Sequence, residues 1–300
     1  MRVTANSLPR LAKYQKHVLA QFDTPGEFSA YLQQHAREGR KPAHGSSFYS
    51  GESFASACAK AETGDAKAAE DSAQLMKTLS DLAIPQKRRE LVHAKHGGRV
   101  SVPAYLGGSQ NPVRKSMQTA SQKAPIAIVC GFVSSGMIEQ RDLYKRGTAL
   151  AALVRRVAAQ RPVDLYLAGT GRIASTDTSV SLLIKFPTRP IDAHRLAFLL
   201  SSQGFGRCMA FAGYDLAAHF AAIAGMAATK PYEFDRSIQW GGNYDYSTST
   251  HCDYAQDISD VLGKQVFFFN DVISTKGDMT EINQDAVAWV NRKAKELTQA

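Results

Sequence analysis

Ile126-Ala127-Ile128-Val129-Cys130-Gly131-Phe132-Val133 is a near-continuous apolar run, the pattern of a central strand buried on both faces of a sheet. Gly136 and the charged stretch after it break the run. A helix is predicted from about Tyr144 to Gln160, with Leu143, Leu150, Leu153, Val154 and Val157 on one side and Lys145, Arg155 and Arg156 elsewhere. Arg161-Pro162 stops it. Val163, Leu165 and Leu167 alternate as one strand, and Val180, Leu182, Ile184 and Phe186 as another. The turn-like stretch from Gly169 to Ser179 joins them as a hairpin. A helix capped by Asp192 runs through Leu199-Leu200, and an alanine-rich helix covers Asp215 to Ala228. Val266-Phe267-Phe268-Phe269 reads as a late strand and Glu281 to Leu297 as a terminal helix. Strand, helix, hairpin, helices, strand, helix is the order of an α/β protein with a mixed sheet flanked by helices.

The front of the chain has less pattern. Leu8, Leu11 and Val18-Leu19 suggest one face of a short helix, and Glu38 to Ser47 reads as a loop. Ser53–Ala61 and Ala66–Ala83 read as helices separated by Gly64-Asp65, the second ended by Ile84-Pro85. Val100, Val102 and Ala104 alternate as a short strand that Pro103 confines to an edge. Asn111 to Ala124 is polar and basic, with almost no large apolar residue, and reads as a linker. The expected organisation is a mostly helical, basic N-terminal region over residues 1–110, a linker over 111–124 and an α/β domain over 125–300.

Among 300 residues no stretch approaches the ~20 apolar residues of a bilayer span. The N-terminal Arg2, Arg10, Lys13 and Lys16 have no apolar block behind them, so no leader peptide is expected. Cys58, Cys130, Cys208 and Cys252 are too far apart for a zinc or redox pair and read as free thiols of a reducing compartment. The net charge of +9 is uneven: residues 1–124 carry 18 Lys and Arg against 10 acidic residues, residues 125–210 carry 11 against 5, and residues 211–300 carry 7 against 12. A basic front fits a polyanionic partner, nucleic acid first.

Catalytic patterns are thin. Gly131-Phe132-Val133-Ser134-Ser135-Gly136 follows a strand but lacks the nucleophile-elbow spacing, and His96-Gly97-Gly98 without an elbow is a turn. Gly169-Thr170-Gly171-Arg172-Ile173-Ala174 opens a hairpin rather than a helix, so it is no dinucleotide loop. His93 and His96 stand among cations, and His251-Cys252-Asp253 has no metal-ligand spacing. What remains is charge: Lys87, Arg88, Arg89, Lys95 and Arg99 lie within residues 87–99, after a helix and before a short strand. This places them on an exposed connection, where cations neutralise phosphates and Gly97-Gly98 admits close approach. Tyr105 is the first aromatic after them, with Tyr14, Phe48 and Tyr49 as further stacking candidates in the basic half. Trp240 to Tyr246, aromatic and glycine-rich, lies in the acidic third and suits a protein contact or a packed loop.

The order from Ile126 to Phe186 resembles a von Willebrand factor A domain. That family opens with an apolar strand ending in Asp-x-Ser-x-Ser, then a helix, then a hairpin at one sheet edge. Aligned by the strand end, this chain has Cys130, Phe132 and Ser134 at the Asp and Ser positions, Thr148 for the later Thr and Asp271 for the last Asp. The resemblance therefore implies a degenerate member without the metal, since a thiol and a phenyl ring do not replace hard oxygen ligands. Gly64-Asp65, Val102-Pro103-Ala104-Tyr105-Leu106-Gly107 and Leu196–Phe211, LAFLLSSQGFGRCMAF, further resemble a poorly characterised family of tailed-phage proteins. That likeness implies a viral protein in the host cytoplasm.

These readings converge on a non-enzymatic scaffold without cofactor. Lys87, Arg88, Arg89, Lys95 and Arg99 would contact single-stranded nucleic acid during replication or transcription, and viral or host proteins would be the other partners, with no membrane involved. The alternatives are a pure protein-interaction adaptor and, less favoured, a hydrolase with an unrecognised site.

Overall fold

The computed structural model describes residues 1–12, 16–37, 53–66, 70, 89–118, 124–132, 138–158, 160–173, 178–188, 192–202, 204–225, 238–240, 248–269 and 278–299. In chain order its elements begin with β1 (Arg2–Ala5), α1 (Pro9–Ala12), β2 (Lys16–Phe22), α2 (Pro25–Arg37) and α3 (Phe54–Thr63). β3 (Arg89–Ala94), β4 (Arg99–Val100), α4 (Val102–Leu106) and β5 (Val113–Gln118) follow. Then come β6 (Ile126–Gly131), α5 (Gln140–Ala158), β7 (Val163–Ile173), β8 (Thr178–Phe186) and α6 (Ala193–Ser201). The chain continues with a π-helical turn (Gly204–Met209), α7 (Ala210–Asp215), α8 (Ala217–Ile223), β9 (Ile238–Trp240), α9 (Thr248–Leu262), β10 (Gln265–Phe269) and α10 (Asp278–Gln299). Among the described residues no helix is long and apolar enough to cross a membrane.

The strands form two sheets. The larger has the order β1-β2-β8-β7-β6-β10, with β9 pairing the far end of β7. β6 is parallel to β7 and to β10, while β7 and β8 form the expected antiparallel hairpin, from Leu165↔Phe186 to Ile173↔Thr178. Both hairpin strands are longer than periodicity suggests, because Gly169-Thr170-Gly171 continues the ladder instead of turning. The apolar run 126–131 is an interior strand, fully buried but one in from the β10 edge rather than at the centre of the sheet. Its alternate residues serve two cores. Ile126, Ile128 and Cys130 join Leu165, Leu167, Val180, Leu182 and Ile184 against α5, α6 and α10, while Ala127 and Val129 join Tyr166, Leu183, Tyr254 and Ile258 on the other face. The result is a sheet covered by helices on both sides.

The front of the chain departs from expectation. Val18-Leu19 belongs to a strand and not to a helix. β2 lies parallel to β8, with Lys16↔Thr178 through Phe22↔Ile184, and β1 pairs antiparallel with β2. The large sheet thus draws strands from both sides of residues 111–124, the stretch read as a linker, and β5 occupies residues 113–118 of that stretch. The physical reason is that β2 is buried on both faces, so Val18, Leu19 and Ala20 are consecutive and show no period of two. The N-terminal region is accordingly a mixture of strands and helices. The helix expected over 66–83 lies outside the described residues, apart from Ala66 and Glu70.

Local chemistry fixes the joints. Asp192 caps α6, its carboxylate accepting from His194 N at 3.0 Å and Arg195 N at 3.1 Å. Gly64, at φ 83°, ends α3 where a Cβ would stand 2.8 Å from Arg195 N, so the Gly64-Asp65 pair is the contact between α3 and the start of α6. Asp285 breaks the terminal helix with φ −154° and ψ 92° and recaps it by accepting from Val287 N and Ala288 N. Edge-to-face rings then run from Phe132 to Phe205, Phe28 and Phe22, with centroids 5.3, 6.4 and 5.0 Å apart. They tie the end of β6 to α2 and β2 through the π-helical turn.

Candidate functional site

The second sheet, β3-β5-β4, shares no strand with the first. Residues 89–118 contain five Lys and Arg and one acidic residue, Glu90. Register decides how these charges are arranged. His93 of β3 and Arg99 of β4 are both Cα partners of Arg114 in β5. Residues directly opposite one another share a face, so His93, Arg114 and Arg99 form one rung across three strands, and all three are exposed. The next rung, Ala94, Val113 and Val100, belongs to the other face and buries Val113. Lys95 and Lys115 are also exposed. Among the described residues none of Lys95, Arg99, Arg114 or Lys115 makes an ion pair.

The turn that sets this register is glycine-dependent. Gly97 adopts φ 88°, and a Cβ on Gly98 would fall 2.2 Å from the Arg114 carbonyl oxygen. Only a residue without a side chain lets the turn lie against β5. His93 Nδ1 lies 3.0 Å from the Asn111 carbonyl oxygen. A carbonyl only accepts, so Nδ1 carries the proton and the ring is held in place.

Of the residues singled out by sequence, Lys95 and Arg99 come together on this sheet. Arg89 opens β3 opposite Gln118, and Lys87 and Arg88 lie outside the described residues. The stretch is therefore strand, turn and strand rather than a loose connection. Residues 102–106 correct the expected edge strand: only Arg99–Val100 pairs with β5, and α4 begins after Ser101 with Pro103 in its first turn. Arg114, which completes the rung, was hidden in the presumed linker, while Lys115 beside it alternates to the Val113 face. No alternation marks β5, since Lys115 stands between Val113 and Met117 in the period-two set, and only the register brings Arg114 to the site.

Arg141 stands 3.8 Å from Glu139, and Arg146 is buried, donating to Gly131 O at 3.2 Å. Arg207, also buried, donates to Ile138 O at 3.1 Å. These two guanidiniums bracket the connection after β6, where the A-domain resemblance would put a divalent cation, and their charge opposes one. Cys130 faces the helix layer with its thiol pushed up to about 12 by burial, so it offers no thiolate. Ser134 and Asp271 lie outside the described residues. Among the described residues no three His, Cys, Asp or Glu gather as metal ligands. Cys58, Cys130 and Cys208 are free and buried.

A family model described as a domain of unknown function, DUF7192, matches residues 3–283. The chain belongs to the DUF7192 family. The match spans β1 through the first turns of α10, so the family includes the small basic sheet as well as the large one. No curated protein and no solved structure matches the DUF7192 chain.

Proposed function

We propose that this DUF7192 protein is a binding scaffold that holds single-stranded nucleic acid on the exposed face of its small sheet. The observation that carries this reading is the His93–Arg114–Arg99 rung. Like charges directly opposite each other in a sheet destabilise it, and among the described residues no carboxylate pairs with Arg114 or Arg99. A polyanion laid across the strands turns that repulsion into binding. Lys95, just past β3, extends the field, and Lys87, Arg88 and Arg89 continue it along the sequence.

The large sheet serves as the platform for viral or host proteins. The strand order β8-β7-β6-β10, with α5 between β6 and β7, supports a degenerate von Willebrand factor A-like reading. Two features depart from it: β8 is not an edge, because β2 covers it, and Cys130 and Phe132 are buried where ligands belong. The Leu196–Phe211 segment supports a tailed-phage setting, with the host cytoplasm as the place of action.

The test is fluorescence anisotropy of the full chain with a labelled oligothymidylate over a range of salt. Arg99→Ala with Arg114→Ala should weaken binding and lower the log–log salt slope by about 1.4, the single-strand coefficient for two phosphates. The melting temperature should hold or rise slightly, as both side chains are exposed and their mutual repulsion is removed. Unchanged affinity and slope would refute the assignment.

A further inference from the structure

We infer that α4 forms a docking tip for unpaired nucleobases, with Tyr105 as the stacking face and Leu106 beside it as a wedge; this rests on the nucleic-acid reading above. Among the described residues the large apolar side chains left exposed are Met1, Val100, Val102, Tyr105, Leu106 and Ile223. Four of these six fall between residues 100 and 106, at 58%, 61%, 66% and 78% exposure. Scattered exposed apolar residues need no explanation, but a cluster of them marks a contact surface.

The tip is held out rigidly. Ser101 N donates to Pro112 O at 2.7 Å, Tyr105 N to Ser101 O at 2.9 Å, Gly107 N to Pro103 O at 3.0 Å and Ser109 N to Ala104 O at 2.9 Å. α4 buries none of its residues. The backbone is thus ordered before any partner arrives, which lowers the entropic cost of binding.

The neighbouring charges select the partner. α4 begins at Val102, three residues beyond Arg99, and Arg99 ends the rung that starts at His93. Strands in a sheet lie about 5 Å apart, so Arg114 and Arg99 set two guanidiniums in line across the strands beside α4, with its aromatic and aliphatic end. A nucleic-acid strand has the matching chemistry, a line of phosphates carrying flat apolar bases that stack on tyrosine or part around an aliphatic wedge. A duplex offers the phosphates and hides the bases. The tip therefore confers preference for unpaired strands, whereas the rung alone holds either form. An anionic bilayer also combines charge with apolar matter, but it presents a plane and has no use for a line.

The experiment compares full-length wild type, Tyr105→Ala, Tyr105→Phe and Arg114→Ala by anisotropy, using a labelled oligothymidylate and a duplex of equal length. Phosphatidylserine vesicles are assayed by sedimentation. Tyr105→Ala should lose roughly tenfold or more on the single strand, the effect of one stacked base, with duplex affinity unchanged. Tyr105→Phe should keep wild-type binding, and Arg114→Ala should weaken both oligonucleotides. If Tyr105→Ala leaves the single-strand to duplex ratio unchanged while Arg114→Ala weakens both, the tip inference fails and the rung reading survives. If wild type binds neither oligonucleotide, both fail. Vesicle binding that depends on Tyr105, with oligonucleotide binding that does not, makes the tip a membrane contact and overturns the inference.

Discussion

His17 is fully buried in β2, and neither ring nitrogen has a hydrogen-bond partner. Desolvation lowers its pKa from 6.5 to about 4. The unfolded chain therefore takes up a proton as pH falls through 6.5, while the folded chain stays neutral until about 4. Stability from this site is complete above pH 6.5 and is lost progressively between 6.5 and 4. The displacement corresponds to about 3 kcal/mol. Urea unfolding at pH 7.5, 5.5 and 4.5 should show the loss, and His17→Leu should flatten the profile in that window relative to wild type. A variant that keeps the wild-type pH slope would show that the acid sensitivity comes from another group.

Gly147 shows what a single position does for two elements. It sits in the middle of α5, where glycine costs about 1 kcal/mol relative to alanine. A Cβ there would stand 1.9 Å from Ser201 Oγ and 2.9 Å from the Leu200 carbonyl carbon of α6. The hydroxyl can rotate but the backbone cannot, so overpacking, typically about 1–3 kcal/mol, outweighs the propensity gain. Gly147→Ala should lower the melting temperature, and adding Ser201→Gly should restore part of it; a rise for the single variant would show that α6 moves away freely. Contacts of this kind are not legible in sequence, where Gly147 is merely a glycine in a helix. Elements with a buried periodic face were legible: β6, the β7–β8 hairpin, α5, the Asp192 cap and β10. β2 was not, because its apolar run Val18-Leu19-Ala20 is short and flanked by His17 and Gln21, and its partner β8 lies in the other half of the chain. β5 and α4 were missed because the small sheet buries so little, Val113 among the described residues, that polar and apolar positions scarcely sort. The same thinness hid half of the candidate site: Lys95 and Arg99 were visible as a charge cluster, whereas Arg114 joins them only through register.

At the scale of the whole molecule, the two sheets differ in how far the chain depends on them. Arg89 and Gln118 are Cα partners in an antiparallel ladder, so their backbones lie about 5 Å apart. A short Gly-Ser bridge can therefore replace residues 89–118 without pulling on what flanks them. The excised protein should keep a single cooperative melt near the wild-type temperature and lose oligonucleotide binding. Removing residues 1–22 should do the reverse. It uncovers the apolar edge of β8, from Val180 to Ile184, and an uncovered edge invites pairing with other chains. Size-exclusion chromatography should find the excised form monodisperse and the truncated form aggregated. The opposite pair of results would mean that the small sheet supports the large one.

The parallel pairing of β2 with β8 also sets a timetable. Lys16 meets Thr178, so on a ribosome adding about 5 to 20 residues per second, β2 waits on the order of 8 to 30 s for its neighbour to be made. During that interval the side of β2 that pairs with β8 stays open, and Val18, Leu19, Ala20 and Phe22 lack the strand beside them. Nascent chains stalled before residue 178 should therefore be the form most in need of a holding chaperone, and synthesis itself, rather than heat, the moment of greatest risk to this protein.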